Sequence, residues 1–233
     1  MNRGVMLDCV CLFPPPPAAE LSAALDESVC AAGYTRLKSI DDVLLDEMLE
    51  WLLPGERCVA ICAPQARAQM LYDTNFNQAA LTDALARAMP ETVLAHFNLQ
   101  EGTDFTLRVV RAETVLQEYS NAPSFFNWGR CLGKAESVEM QRPDLKALSQ
   151  AFGTGLNVEN LDSLFKTIAA RAPRENTDRN DDVKDTRIYD AVQGLARELG
   201  LPRLYRFFEG WAKSDLDWEE DNVQNVCAYR NEV

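Results

Sequence analysis

Residues 4–13 read GVMLDCVCLF, and four prolines, Pro14–Pro17, follow at once. The run has the length of a strand, and its near-continuous apolarity suits one covered on both faces. The prolines stop it, because proline has no N–H to give to a sheet ladder. A chain that opens this way needs structure packed on both sides of its first strand, which points to a sheet flanked by helices.

The segments that follow supply such elements. Pro17 or Ala18 opens a helix in which Leu21, Ala24, Leu25, Ser28 and Val29 share one face, and Gly33 ends it. Tyr34–Lys38 is a short strand. A helix over Asp41–Leu53 turns Leu44, Leu45, Met48, Leu49 and Leu52 inward and stops at Pro54-Gly55. Arg57–Ala63 is a second apolar strand. Val5, Leu7, Val10 and Leu12 are expected to pack on one or both faces of a sheet with its Val59 and Ile61. A helical stretch is expected from Pro64 to Met89, with a break near Asp73–Asn77. Thr92–Asn98 and Asp104–Arg111 read as an antiparallel pair joined by a turn at Glu101-Gly102.

Beyond Asn121 the character changes. Residues 121–142 are rich in Gly, Asn and aromatic residues and read as a linker or loop region. Asp144 then caps a helix over Leu145–Phe152. Asn157 caps another with Leu161, Leu164, Phe165, Ile168 and Ala169 in one stripe, and Pro173 closes it. Residues 174–185 are a mixed-charge loop. Ile188, Ala191, Val192, Leu195 and Leu199 form a further helical stripe, followed by an aromatic face of Leu204, Phe207, Phe208 and Trp211. The expected class is α+β (or α/β). A sheet of about four to five strands flanked by helices occupies residues 1–120, and a helical C-terminal subdomain with an acidic tail occupies 143–233. The segment Gly155–Ile168, GLNVENLDSLFKTI, resembles the central helix of barstar-type nuclease inhibitors. The resemblance covers one helix, a further helix follows where that family has strands, and it carries no residue role over.

Charge narrows the function classes. The chain has 23 Lys+Arg against 36 Asp+Glu, a formal net charge of −13. Such a surface repels nucleic acid and anionic membranes and attracts a basic partner. No apolar run approaches the roughly 18 residues of a membrane-spanning helix. The first apolar stretch is broken by Asp8 and lacks a cleavage site, so no signal peptide is read and a cytoplasmic location is expected. The seven cysteines are Cys9, Cys11, Cys30, Cys58, Cys62, Cys131 and Cys227. An odd count in mostly apolar settings predicts reduced, structural thiols. With no C-x2-C pair and one histidine, no zinc site is expected. No cofactor is assigned: Gly153-Thr154-Gly155 lacks a dinucleotide-loop pattern, and no phosphate-binding lysine motif occurs.

Two segments are candidate interfaces. Asp215, Asp217, Glu219, Glu220 and Asp221 surround Trp218, an aromatic anchor among carboxylates that suits a basic protein surface. Phe125, Phe126 and Trp128 lie among Asn, Ser, Pro and Gly, where aromatics either plug a core or anchor a contact. The only histidine, His96, lies in an apolar run without a recognisable nucleophile and reads as structural. Expected, then, is a non-enzymatic protein-binding module, of the inhibitor or immunity-protein kind, that neutralises a basic partner. The alternative is an enzyme with a site assembled from scattered Cys or Asp/Glu residues.

Overall fold

The computed structural model describes residues 7–36, 56–65, 68–73, 78–100, 104–121, 143–153, 155–170, 187–201, 203–204 and 223–231. In chain order these form β1 (Leu7–Phe13), α1 (Ala18–Ala31), β2 (Tyr34–Arg36), β3 (Glu56–Gln65), β4 (Ala68–Asp73), α2 (Gln78–Ala88) and β5 (Val93–Gln100). Then come β6 (Asp104–Arg111), β7 (Thr114–Ser120), α3 (Leu145–Phe152), α4 (Val158–Ala169), α5 (Arg187–Glu198) and β8 (Val223–Asn231). The fold is α+β. The strands form one sheet in the order β2-β8-β3-β4-β1-β5-β6-β7, with every pairing antiparallel.

β1 lies inside the sheet between β4 and β5. Its alternation divides the two cores. Leu7, Cys9 and Cys11 join the core built with α3, α4 and α5. Val10 and Leu12 join Val59 and Ile61 in the core built with α1 and α2. The opening run is thus covered on both faces; Leu7 points away from Val59 and Ile61, and Val5 lies outside the described residues. Pro14–Pro17 connect β1 to α1, and the Pro17 carbonyl accepts from the Leu21 N–H at 3.0 Å.

The helices start and stop where local chemistry dictates. The Asp144 carboxylate accepts from the N–H groups of Lys146 (3.0 Å) and Ala147 (2.9 Å) at the start of α3. The Asn157 side chain accepts from the Asn160 N–H at 3.0 Å in α4. α5 ends at Gly200, whose φ of 70° favours glycine. Leu161, Phe165 and Ile168 of α4 and Ile188, Ala191, Val192 and Leu195 of α5 are buried, as their spacing requires.

Three strands join the five that the sequence pattern indicates. β4 occupies part of the Pro64–Met89 stretch expected as helix, and the helix there begins only at Gln78. Ala, Gln, Met and Leu are good helix formers, but pairing with β3 and β1 on both sides overrides that propensity. β7 extends the β5–β6 pair by a second turn. β8 comes from the far end of the helical, acidic-tailed segment 143–233 and inserts between β2 and β3. The helix expected at Asp41–Leu53 and the faces of Phe207, Phe208 and Trp211 lie outside the described residues.

Candidate functional site

The sheet brings together two clusters of titratable side chains. The first spans β1, β5, β6 and β7 on the face that carries α2. Asp8 is 2% exposed and His96 8%. Their strands are paired with Val10 opposite His96, so Asp8 sits two residues along on the same face. His96 Nε2 lies 2.6 Å from Asp8 Oδ1. Arg108 is directly opposite His96 on β6, and Glu118 is opposite Arg108 on β7. The Arg108 guanidinium donates to Asp83 of α2 and lies 3.9 Å from Glu118. This cross-strand row alternates acid, imidazole, guanidinium and acid, so each carboxylate of the row stands beside a nitrogen-bearing side chain.

The second cluster pins β8 to α1 and β2. Arg36 Nη1 donates to both oxygens of Asp26 (2.5 and 2.6 Å) and to Ser22 Oγ at 3.1 Å. Arg36 Nη2 reaches Cys227 Sγ at 3.5 Å, and the Tyr229 hydroxyl donates to Asp26 at 2.9 Å. Burial raises the Cys227 thiol above its ordinary value, against the pull of Arg36. Burial, then the neighbouring Cys227 and Asp26, also raise the Tyr229 phenol. A protonated thiol and phenol are poor nucleophiles, so this cluster suits holding elements together. Cys9, Cys11 and Cys227 are buried free thiols and Cys30 is an exposed one.

Neither cluster was legible as a unit. His96 is buried in its apolar run, and its partner Asp8 lies 88 positions away. Asp8 reads in the sequence only as an interruption of an apolar strand. Arg36, Asp26 and Tyr229 are similarly scattered. The alternation of polar residues on β5 and β6 was the one available signal.

Surface charge differs from these interior groups. Among the described residues, Arg36, Arg108, Arg111 and Lys166 are each held by a carboxylate. The exposed carboxylates of Glu20, Glu27, Glu113, Glu159 and Asp190 have no ion pair. Among the described residues, no group of three or more His, Cys, Asp or Glu side chains could hold a metal ion, and no helix is long and apolar enough to cross a membrane. The predicted interface residues Asp215, Asp217, Trp218, Glu219, Glu220, Asp221, Phe125, Phe126 and Trp128 lie outside the described residues. No protein-family model, curated protein or solved structure matches this chain.

Proposed function

We propose that this chain is a non-enzymatic binding module that engages a basic protein partner through acidic surface. The observation that carries this reading is the charge imbalance: the net charge is −13, and, among the described residues, Arg36, Arg108 and Arg111 are each matched by a carboxylate, while Glu20, Glu27, Glu113, Glu159 and Asp190 are exposed without an ion pair. The surplus negative charge therefore lies outside, where it speeds encounter and sets orientation. The segment 215–221 concentrates five carboxylates around Trp218 and is the first contact segment to test; the Phe125–Trp128 segment is the second.

The test begins with affinity capture from the native cell and identification of a basic partner. Binding kinetics are then measured with folded variants. Trp218→Ala is expected to raise the off-rate about 30-fold, the equivalent of about 2 kcal/mol for a hot spot. Neutralising Asp215, Asp217 and Glu219 together is expected to lower the on-rate and flatten its salt dependence. Folded variants that bind the captured partner like wild type remove this segment from the interface.

A second reading, an enzyme with a dispersed site, draws on the Asp8–His96 hydrogen bond, the arrangement that orients a general base. It requires a reaction that His96→Gln abolishes in a protein that still folds.

A further inference from the structure

Pro14–Pro17 connect β1 to α1, and neither reading above uses them. Their backbone has little freedom. Each ring holds φ near about −65°, and a residue that precedes a proline is confined to the extended region. Pro14, Pro15 and Pro16 each precede a proline. Pro17, which ends the run, has φ −57° and ψ 139°. Those angles belong to the polyproline II helix, whose values are about −75° and +145°. The four residues therefore make one turn of that helix. A buried strand fixes one end, and a helix anchored by Leu21, Leu25 and Val29 fixes the other.

A polyproline II helix has three residues per turn, so Pro14 and Pro17 share one edge, about 9 Å apart. Exposure follows that period: Pro14 and Pro17 are exposed, while Pro15 and Pro16 are half-buried. The next residues, Ala18 and Ala19, are exposed and small, so they do not screen the edge. The backbone carbonyls divide in the same region. The Pro17 carbonyl accepts from the Leu21 N–H at 3.0 Å, whereas among the described residues no hydrogen bond is made to the carbonyls of Pro14, Pro15 and Pro16.

This combination has a recognisable complement. Proline rings at this spacing pack between aromatic side chains, and the indole N–H or phenol O–H of such a groove donates to the carbonyls. The turn is ordered before binding, so a partner does not have to order it. Charge narrows the partner further. Glu20, in the first turn of α1, is exposed without an ion pair, and the chain as a whole carries −13. An aromatic groove with a basic rim matches such a ridge, and one with an acidic rim is repelled.

We propose that Pro14–Pro17 is a docking ridge for a partner protein whose groove is lined by aromatic side chains and rimmed by basic ones. Pro14 and Pro17 enter the groove, and the carbonyls of Pro14, Pro15 and Pro16 accept from its donors. The inference goes beyond the acidic-segment reading: it uses a different surface, and its test leaves residues 215–221 unchanged.

The experiment titrates the full chain into a panel of isotope-labelled SH3-type and WW-type domains with Lys or Arg at the groove rim, followed by NMR. The expected result is saturable binding below about 1 mM by at least one domain, with shifts confined to its aromatic groove. A polyproline peptide of about ten residues is expected to displace the chain. Pro14→Ala and Pro17→Ser are each expected to weaken binding about tenfold, and Pro15→Ala less than threefold. Pro17→Ser supplies a good N-cap residue in place of one that makes no side-chain cap bond, so α1 and the circular dichroism should be kept even if Pro14→Ala does not fold. Glu20→Gln is expected to weaken binding about threefold at low salt. Absence of saturable binding across the panel, or wild-type affinity in folded Pro17→Ser, overturns the proposal. Equal losses in Pro15→Ala and Pro17→Ser overturn it as well, because the outward edge would then not be what the groove reads.

Discussion

The two faces of the sheet solve the same packing problem in different ways. Toward α3, α4 and α5 the strands present Leu7, Cys9, Cys11, Val93, Ala95, Phe97, Leu99, Phe105, Leu107 and Val109, an unbroken apolar surface. Its aromatic rings form a chain: Phe97 to Phe105 at 6.4 Å, Phe105 to Tyr119 at 6.2 Å, and Tyr119 edge-on to Phe165 at 4.8 Å. Toward α1 and α2 the same strands are apolar only over part of their width, and Asp8, His96 and Arg108 interrupt them. One residue of register separates Phe97 from His96. The difference teaches that this sheet places Asp8, His96 and Arg108 on one side, beside hydrogen-bonding partners, while the buried polar groups on the other side, Gln117, Tyr119 and Asn121, are uncharged amides and a phenol.

Breaking the apolar face is expected to have the largest effect. Phe97 is fully buried in the core on this face, with the Phe105 ring of β6 beside it. Phe97→Ala should cost about 4 kcal/mol by lost transfer energy plus cavity. Urea unfolding, with the midpoint shift at unchanged slope, measures it. A loss under about 1 kcal/mol would mean that this core is not close-packed.

Breaking the polar row comes next. Asp8→Ala leaves the buried His96 Nε2 without its hydrogen-bond partner and should cost about 1–3 kcal/mol. Replacing both, as Asp8→Val with His96→Leu, should cost much less than the sum of the single changes. The pair would then be better matched by an apolar face like the one opposite. A strictly additive cycle would show that the two residues do not interact.

Much of this organisation is legible in the sequence, and the parts that are not share a cause. β1, α1, β5, β6, α3, α4 and α5 carry strong periodic patterns with caps or breakers at their ends. β4 has a helix former's composition, and only its two neighbours in the sheet make it a strand. β8 is paired with β3 more than 150 positions earlier, for example Cys227 opposite Val59, and with β2. Such long-range pairings leave no local mark. The Asp8–His96 row is hidden for the same reason: each residue taken alone is an isolated polar group in an apolar strand, and only register places one beside the other. The interface segments are the reverse case, distinct in composition, and their role rests on the binding experiment.

A milder comparison uses one tyrosine from each face. The Tyr229 hydroxyl donates to Asp26 at 2.9 Å, so Tyr229→Phe removes a hydrogen bond to a charged acceptor. The expected cost is about 1.5 kcal/mol, and the sequence pair Tyr229–Asp26 should show coupling in a double-mutant cycle.

Tyr119 lies on the apolar face, 4% exposed, and its buried hydroxyl has no hydrogen-bond partner. Tyr119→Phe therefore removes an unsatisfied group without opening a large cavity, and at pH 7 it should be neutral or stabilise by up to about 1 kcal/mol. Its clearest signature is at high pH. Burial pushes the Tyr119 phenol up to about 12, against about 10 in an unfolded chain. Between those values the native protein keeps the proton and the unfolded chain loses it. The folded state thus binds more protons, and stability falls as pH rises through that window. Below pH 10 this contribution is fully present, and by pH 12 wild type should have lost about 2–3 kcal/mol through this group alone. Tyr119→Phe lacks that loss, so the variant's advantage over wild type should widen steadily between pH 10 and 12, while Tyr229→Phe remains less stable than wild type at pH 7. Equal slopes for wild type and Tyr119→Phe would mean that the phenol is reached by water, and that the face packed against α4 is not closed over Tyr119.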